Sequence, residues 1–473
     1  MDYFDKDILS IQHTRELLKR AKQAQSVLAG FNQHKIDTIA EAMAEAGCKN
    51  AALLAEMAVK ETGIGVAADK TVKNEFASKG VWNYIRDMRT AGVINEDKAR
   101  GMIEIAEPMG VVAGIIPTTN PTSTIIFKCI IALKARCGIV MSPHPRAIEC
   151  SKETARIMEE AAVSAGAPKG IISCIEISTR EATEELMKSP LTSVILSTGG
   201  SALVKASYSS GKPAFGVGPG NVPAFIERTA NIDKAVSDII ASKTFDNGTI
   251  CASEQAVITE RVISDQVIDA FKSKGCCFLS PEDTYHIEKT VMLQGGGVNP
   301  EVVGRSAKEI AEMAGIQVPD GTRILIARLF GVGKPYPLSA EKLCPVLAFY
   351  IEEDWQSACE RCIELLRFGG LGHSLSIHSN DREIIMEFAM KKPVFRILVN
   401  TPSSQGGIGQ TTHLQPSLTL GCGTWGGNVT ADNVGPQHLI NIKRLAFSKE
   451  LSQGYHYTRE EIEKALDRYL SVV

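Results

Sequence analysis

The chain lacks most of the features that mark specialised classes of protein. Over 473 residues, 51 Lys and Arg stand against 54 Asp and Glu, a net charge of −3 with no basic cluster. That balance offers no footing for nucleic acid, whose recognition begins with phosphate neutralisation. No uninterrupted apolar run reaches the roughly 18 residues a membrane helix needs, so no membrane partner is expected. Met1–Asp7 is acidic and has no apolar core, which argues against a signal peptide. The 12 cysteines follow no repeat and are too dilute for a disulfide scaffold, so a reducing, cytoplasmic setting is expected. Cys359 and Cys362 form the one CxxC, in a stretch that reads as two turns of an amphipathic helix. No second pair or nearby His completes a zinc set, and no metal site is expected. What is left is ordinary: 44% hydrophobic and 22% charged residues, in a length that allows two or more domains.

Hydrophobic periodicity divides the chain. Residues 8–88 read as helices, with Gly30 closing one pattern and Gly63-Ile64-Gly65 another. From about residue 100, short apolar runs alternate with helical patterns: Gly110–Ile116, Ile139–Met141, Ile171–Ile175 and Ser193–Leu196 as strands, with helices near 122–136 and 151–164 between them. Strands spaced by such helices predict a parallel, doubly wound α/β sheet that binds a nucleotide at its carboxyl edge. Ser197-Thr198-Gly199-Gly200-Ser201 follows the fourth run and opens a helix, a turn able to cradle a phosphate. Lys212–Asn221 reads as a glycine-rich break, after which a second α/β unit runs to about residue 430. Residues 430–473 read as a polar tail with a terminal amphipathic helix.

One cysteine stands apart from the other eleven. Cys251 follows the Asn247-Gly248 turn signal and precedes the apolar run Ala256-Val257-Ile258. A loop-to-strand junction holds a thiol rigidly yet leaves it within reach of a ligand. The local stretch alone supports either a nucleophile or a buried structural cysteine.

Longer motifs decide between them. FDNGTICASEQ, PTTNPT, SPHPRA, YSSGKPAFGVGPGN and NTPSSQGGIG followed by PSLTLGCGTWGGN occur in that order. Together they resemble the CoA-acylating aldehyde dehydrogenases over nearly the whole chain, most closely the aldehyde dehydrogenase half of the bifunctional alcohol/aldehyde enzymes. Stand-alone acylating succinate-semialdehyde and sulfoacetaldehyde dehydrogenases are similar. The residues end soon after GCGTWGGN, so no alcohol dehydrogenase half is expected. The resemblance implies an aldehyde dehydrogenase-like α/β fold with a Rossmann-type nucleotide-binding domain (1–95 and 109–227) and a catalytic domain (228–429). It further implies an oligomerisation element with a C-terminal tail (96–108 and 430–473), in a homodimer or homotetramer. The implied reaction takes an aldehyde, NAD or NADP, and CoA to acyl-CoA.

By the same resemblance Cys251 is the nucleophile, and Asn120 the amide that stabilises the tetrahedral oxyanion together with the Cys251 N–H. Asn120 also reads as a turn residue before Pro121. Hydrolytic relatives carry a base glutamate in the loop matching Gly216–Gly220; here Phe215-Gly216-Val217-Gly218-Pro219-Gly220 has none. That absence favours acyl transfer to a thiol over hydrolysis. Glu254, three residues past Cys251, should point to the opposite face. Glu341 matches the glutamate that holds the nicotinamide ribose, Gly199 and Gly200 the pyrophosphate turn, and Gly218 a further cofactor contact. Ser142 and His144 lie where relatives grip the adenine ribose, and no carboxylate there would repel a 2′-phosphate, so NADP is expected beside NAD. Thr119, Ile250, Gln410, Thr411, Thr412 and His413 are assigned to the substrate pocket. The last four either bind a carboxylate or sulfonate tail or are neutral loop drift. His373 either orients cofactor or CoA or is structural. A hydrolytic enzyme and an inactive scaffold of the same fold are the competing readings.

Overall fold

The computed structural model describes residues 5–449, 460–462, 464 and 465. The N-terminal helices are Lys6–Leu28, Gln33–Lys49 and Ala51–Thr62. Gly63, at φ 68°, ends the third by donating its N–H to the Val59 carbonyl, the left-handed cap that glycine adopts without strain. A fourth helix, Ala67–Glu75, runs through a π-helical turn at Phe76–Gly80 into Val81–Ile85.

These helices pack on a five-stranded parallel sheet. Its spatial order is Ile172–Cys174, Gly138–Ser142, Val111–Ile115, Thr192–Thr198, Ala214–Val217. Numbered along the chain this is 3-2-1-4-5, the doubly wound order whose switch point lies between the first and fourth strands. The helix Pro121–Lys134 that follows the first strand is buried along its entire length. The glycine-rich break is in part a strand: Ala214–Val217 pairs with Ile195–Thr198 and completes the sheet.

The second unit is a seven-stranded parallel sheet, ordered Cys276–Phe278, Ile324–Arg328, Val346–Glu352, Glu254–Glu260, Val222–Ile226, Gly372–His378, Val394–Val399. Glu254–Glu260 is the middle strand, and every residue of it is buried. A continuous burial pattern is what a strand covered on both faces produces. Cys359 and Cys362 lie on the helix Trp355–Gly369, packed into the core of this unit.

A small antiparallel sheet joins Gly92–Asp97, Met102–Pro108 and Ile440–Ala446. The last strand lies in the stretch read as polar tail. The terminal amphipathic helix falls outside the described residues, apart from helical positions at 460–462, 464 and 465. Among the described residues no helix is long and apolar enough to cross a membrane.

Candidate active site

The segment before the middle strand is a tight coil. Asp246 and Asn247 both take positive φ, 49° and 52°, and Gly248 follows at 74°. Asn is among the few non-glycine residues that enter this region readily. Here the Asn247 amide also donates to the Gly304 carbonyl at 2.9 Å. The coil delivers Thr249, Ile250 and Cys251 to the wall of a cavity of about 350 Å³. Cys251 is half-buried and faces that space; the Ile250 beside it is buried.

Loops at the carboxyl ends of the nucleotide-binding strands form the facing walls. Asn120 caps the buried helix, whose first residue, Pro121, has φ already set for helix. Its Nδ2 donates to the Thr249 carbonyl at 3.1 Å and to Thr119 Oγ1 at 3.1 Å, tying the first strand's loop to the cysteine loop. Thr119, Asn120, Ile250 and Cys251 thus share one cavity.

Four buried polar side chains beneath them escaped the sequence reading. Lys73 Nζ donates to Asn120 Oδ1 at 2.7 Å, to Thr249 Oγ1 at 3.0 Å and to Asp246 Oδ2. Lys70 Nζ donates to the Thr119 carbonyl at 2.7 Å and to the same Asp246 oxygen at 2.9 Å. Burial acts to raise the Asp246 carboxyl, but Lys73 and Lys70 outweigh it and hold it below its ordinary value. Burial brings Lys73 down to about 8 against the pull of Asp246. The local signal was slight: two lysines three residues apart, on the buried face of an otherwise polar helix.

The cavity also fits a dinucleotide. A Cβ built on Gly200 or on Gly218 would meet nothing within 4 Å, so both loops leave an open cradle. Thr198 Oγ1 is buried without a hydrogen-bond partner among the described residues. Gly200 precedes the helix Ser201–Tyr208, whose first amides suit a pyrophosphate. Beyond His144 and Leu203 lies a second cavity of about 560 Å³, walled by Ser142, His144 and Thr183. There Ser142 Oγ and Thr183 Oγ1 are 2.8 Å apart, and His144 Nδ1 accepts the Arg146 N–H at 3.1 Å. Burial and Arg146 hold the imidazole below its ordinary value. Glu341 lies on the first cavity's wall, accepting the Gly220 N–H at 2.9 Å, and burial raises its carboxyl to about 7.

Residues 10–275 match the profile described as aldehyde dehydrogenase family. Succinate-semialdehyde dehydrogenase (acetylating) of Clostridium kluyveri is 38% identical over 437 residues, covering 92% of this chain and 96% of that protein. The chain belongs to the aldehyde dehydrogenase family. Bifunctional aldehyde-alcohol dehydrogenase of Escherichia coli strain K12 is 43% identical over 475 residues, covering 98% of this chain and 53% of that protein. The chain thus spans about half the length of that relative. A crystal structure of an acetylating aldehyde dehydrogenase from Geobacillus thermoglucosidasius superposes with a TM-score of 0.93 at 53% identity, covering 94% of this chain and 98% of that one.

For a member of the aldehyde dehydrogenase family, what surrounds Cys251 decides which chemistry follows. Gly220 is pressed against it: a Cβ there would sit 2.1 Å from the Cys251 carbonyl oxygen and 3.2 Å from His373 Cε1. His373 is buried, with Nδ1 3.0 Å from Ser374 Oγ and no partner for Nε2 among the described residues. Burial and Arg396 bring the imidazole down to about 3, so it is neutral. Glu254 is buried outside the cavity wall and accepts the Ser403 N–H at 3.0 Å. Gln410, Thr411, Thr412 and His413 do not line the cavity. Gln410, Thr411 and His413 are exposed, and the Thr412 hydroxyl donates to the Gly406 carbonyl at 2.8 Å. Apolar side chains of Ile250, Ile408, Leu418 and Leu420 lie on the wall instead.

Proposed function

We propose that the protein is a CoA-acylating aldehyde dehydrogenase, oxidising a short-chain aldehyde to its acyl-CoA with NAD or NADP, reversibly, through a thioester on Cys251. The observation that carries this reading is the cavity wall, where thiol and amide meet beside a loop, Phe215–Gly220, that has no carboxylate. The Cys251 thiolate attacks the carbonyl carbon, and the Asn120 amide and the Cys251 N–H stabilise the resulting alkoxide. A bound nicotinamide supplies the hydride acceptor, with Glu341, Gly199, Gly200 and Gly218 holding the dinucleotide and Ser142 and His144 its adenine end. Cys251 is then left as a thioester. Among the described residues Glu341 is the one carboxylate on the wall, tied to the Gly220 N–H and assigned to the ribose. Water therefore has no free base, whereas CoA, already partly ionised near neutral pH, attacks as thiolate, forming the acyl-CoA thioester as the Cys251 C–S bond breaks and Cys251 leaves as thiolate.

The apolar patch of Ile250, Ile408, Leu418 and Leu420 favours a small uncharged aldehyde of the acetaldehyde kind over one with an anionic tail. We read the three-stranded sheet as the assembly element of a homodimer or homotetramer. The 12 unpaired thiols suit a reducing, cytoplasmic setting. The test is NADH formation from acetaldehyde with and without CoA. Turnover should require CoA and should vanish in Cys251→Ala. Release of free acid without CoA would refute the reading, and a preference for succinate semialdehyde or sulfoacetaldehyde would move the substrate assignment.

A further inference from the structure

We propose that Lys73 is a positioning residue that orients the Asn120 amide for the oxyanion. The inference rests on the acylating reading but concerns a different part of the site. A lysine ammonium can only donate, so the Asn120 atom it contacts at 2.7 Å must be the carbonyl Oδ1. That contact fixes the amide against a half-turn flip and leaves Nδ2, the donor an oxyanion needs, on the opposite side. There Nδ2 spends its two hydrogens on the Thr249 carbonyl and on Thr119 Oγ1. Thr249 is buried and its carbonyl is backbone, whereas Thr119 is half-buried on the cavity wall and its hydroxyl can turn aside. An arriving alkoxide takes the place of that hydroxyl, and the amide has no need to turn.

The ammonium is itself held rigidly. Lys73 is 2% exposed, and Asp246 and Thr249 accept its remaining hydrogens. Asp246 is fully buried and is fixed in turn by Lys70 and by the Val66 N–H, which it accepts at 2.7 Å. Lys70 also binds the Thr119 carbonyl, so one carboxylate anchors both residues that frame the oxyanion position. Gly65 must lack a side chain for this to fit, because a Cβ there would lie 2.0 Å from Asp246 Oδ1. The π-helical turn at Phe76–Gly80 starts three residues after Lys73, the kind of local irregularity that recurs at functional sites.

The test is steady-state kinetics on Lys73→Met, Lys73→Arg, Asn120→Ala and the double variant K73M/N120A, with acetaldehyde, NAD and CoA. Lys70 still pairs Asp246 in Lys73→Met, and an unchanged circular dichroism spectrum with normal alkylation of Cys251 establishes that the fold and thiol persist. Removing one oxyanion donor typically costs about a hundredfold or more in kcat, so Lys73→Met should lose kcat on that order while the KM values for acetaldehyde, NAD and CoA stay within about twofold. Lys73→Arg, which still donates to Oδ1, should recover part of the loss. The double variant should be no slower than Asn120→Ala, because Lys73 acts only through that amide. An additional full loss in the double variant, or wild-type kcat in Lys73→Met, overturns the proposal. If Lys73→Met does not fold, the same comparison is read on Lys73→Arg, which should lower kcat and not KM, with no further loss in the Asn120→Ala background. Absence of CoA-dependent turnover in the wild-type protein would instead sink the acylating reading. The orientation of the Asn120 amide in a neutron or atomic-resolution crystal structure of Lys73→Met, where its O and N are told apart directly, then still decides the positioning role.

Discussion

Burial, the Glu341 carboxylate and the Cys422 thiol push the Cys251 thiol up to about 12, against the pull of Arg396. A cysteine ordinarily titrates near 8.5. The resting site therefore holds a neutral thiol, and it is reactive only to the extent that ligands or pH expose the thiolate. Far below its pKa the thiolate fraction grows tenfold per pH unit, so alkylation of Cys251 by iodoacetamide should accelerate about tenfold per unit between roughly pH 7 and 9. Cys48 and Cys277 are also half-buried, so the rate is followed on the Cys251 peptide by mass spectrometry. A plateau below about pH 8 would mean a thiol already depressed in the free protein. At this scale sequence was informative where chemistry is written locally: Cys251, Ile250, Thr119 and Asn120 sit in short motifs and meet in one cavity. Lys73 and Asp246 were invisible because their partnership spans 173 positions and neither residue type is unusual where it stands. Gln410 to His413 were assigned to the pocket because the matching loop lies there in the family the chain resembles, and here Gln410, Thr411 and His413 are exposed and off the cavity wall.

Alternation of apolar runs with helical patterns made the nucleotide-binding sheet legible as an element series. Its fifth strand was not, because Ala214–Val217 is embedded among glycines and prolines and becomes a strand only by pairing with Thr192–Thr198. Ile440–Ala446 escaped for a similar reason: its residues are nearly all exposed, and only the partner strand Met102–Pro108 makes it β. A third device is hidden inside the helix Pro121–Lys134. Lys128 is fully buried, and its Nζ donates to the carbonyls of Ile115 at 2.6 Å and Leu196 at 2.8 Å, clamping the two strands at the switch point. Lys128→Met leaves both carbonyls without that donor, at a cost of about 1–3 kcal/mol each where no other partner replaces it. Burial brings the Lys128 ammonium down to about 7, below its unfolded value. The unfolded chain thus binds the extra proton between about pH 7 and 10, and the wild-type contribution rises with pH across that window. Thermal unfolding should show a lower Tm for Lys128→Met, with a deficit that widens from about pH 7 to pH 9. A deficit that stays level across that range would mean the ammonium is charged throughout.

Of the six strands that end the three sheets among the described residues, two carry large exposed apolar side chains. Ile440–Ala446 pairs with Met102–Pro108 along one edge and with no other described strand along the other. Six of its seven residues are exposed, among them Ile442 at 41% and Leu445 at 42%. At the far end of the seven-stranded sheet, Val394–Val399 also ends the strand order, with Phe395 exposed at 40% and Val399 at 38%. Unprotected edges carrying apolar side chains invite pairing with another chain, and a second copy supplies both kinds of edge at once. Within the chain, a three-stranded sheet this small is steadied by a cluster of Val93, Ile103 and Ile462, which leaves Ile442 and Leu445 free of the core. Replacing both by Asp should therefore spare the fold while placing two unpaired charges on that edge. Light scattering at micromolar concentration should show the mass fall from that of a dimer or tetramer to that of one chain. Val262→Asp, a change at a residue 63% exposed on the other sheet's flank, should leave the mass unchanged. An unaltered mass in the I442D/L445D double variant would move the assembly surface elsewhere, and a monomeric wild type would remove the need for one.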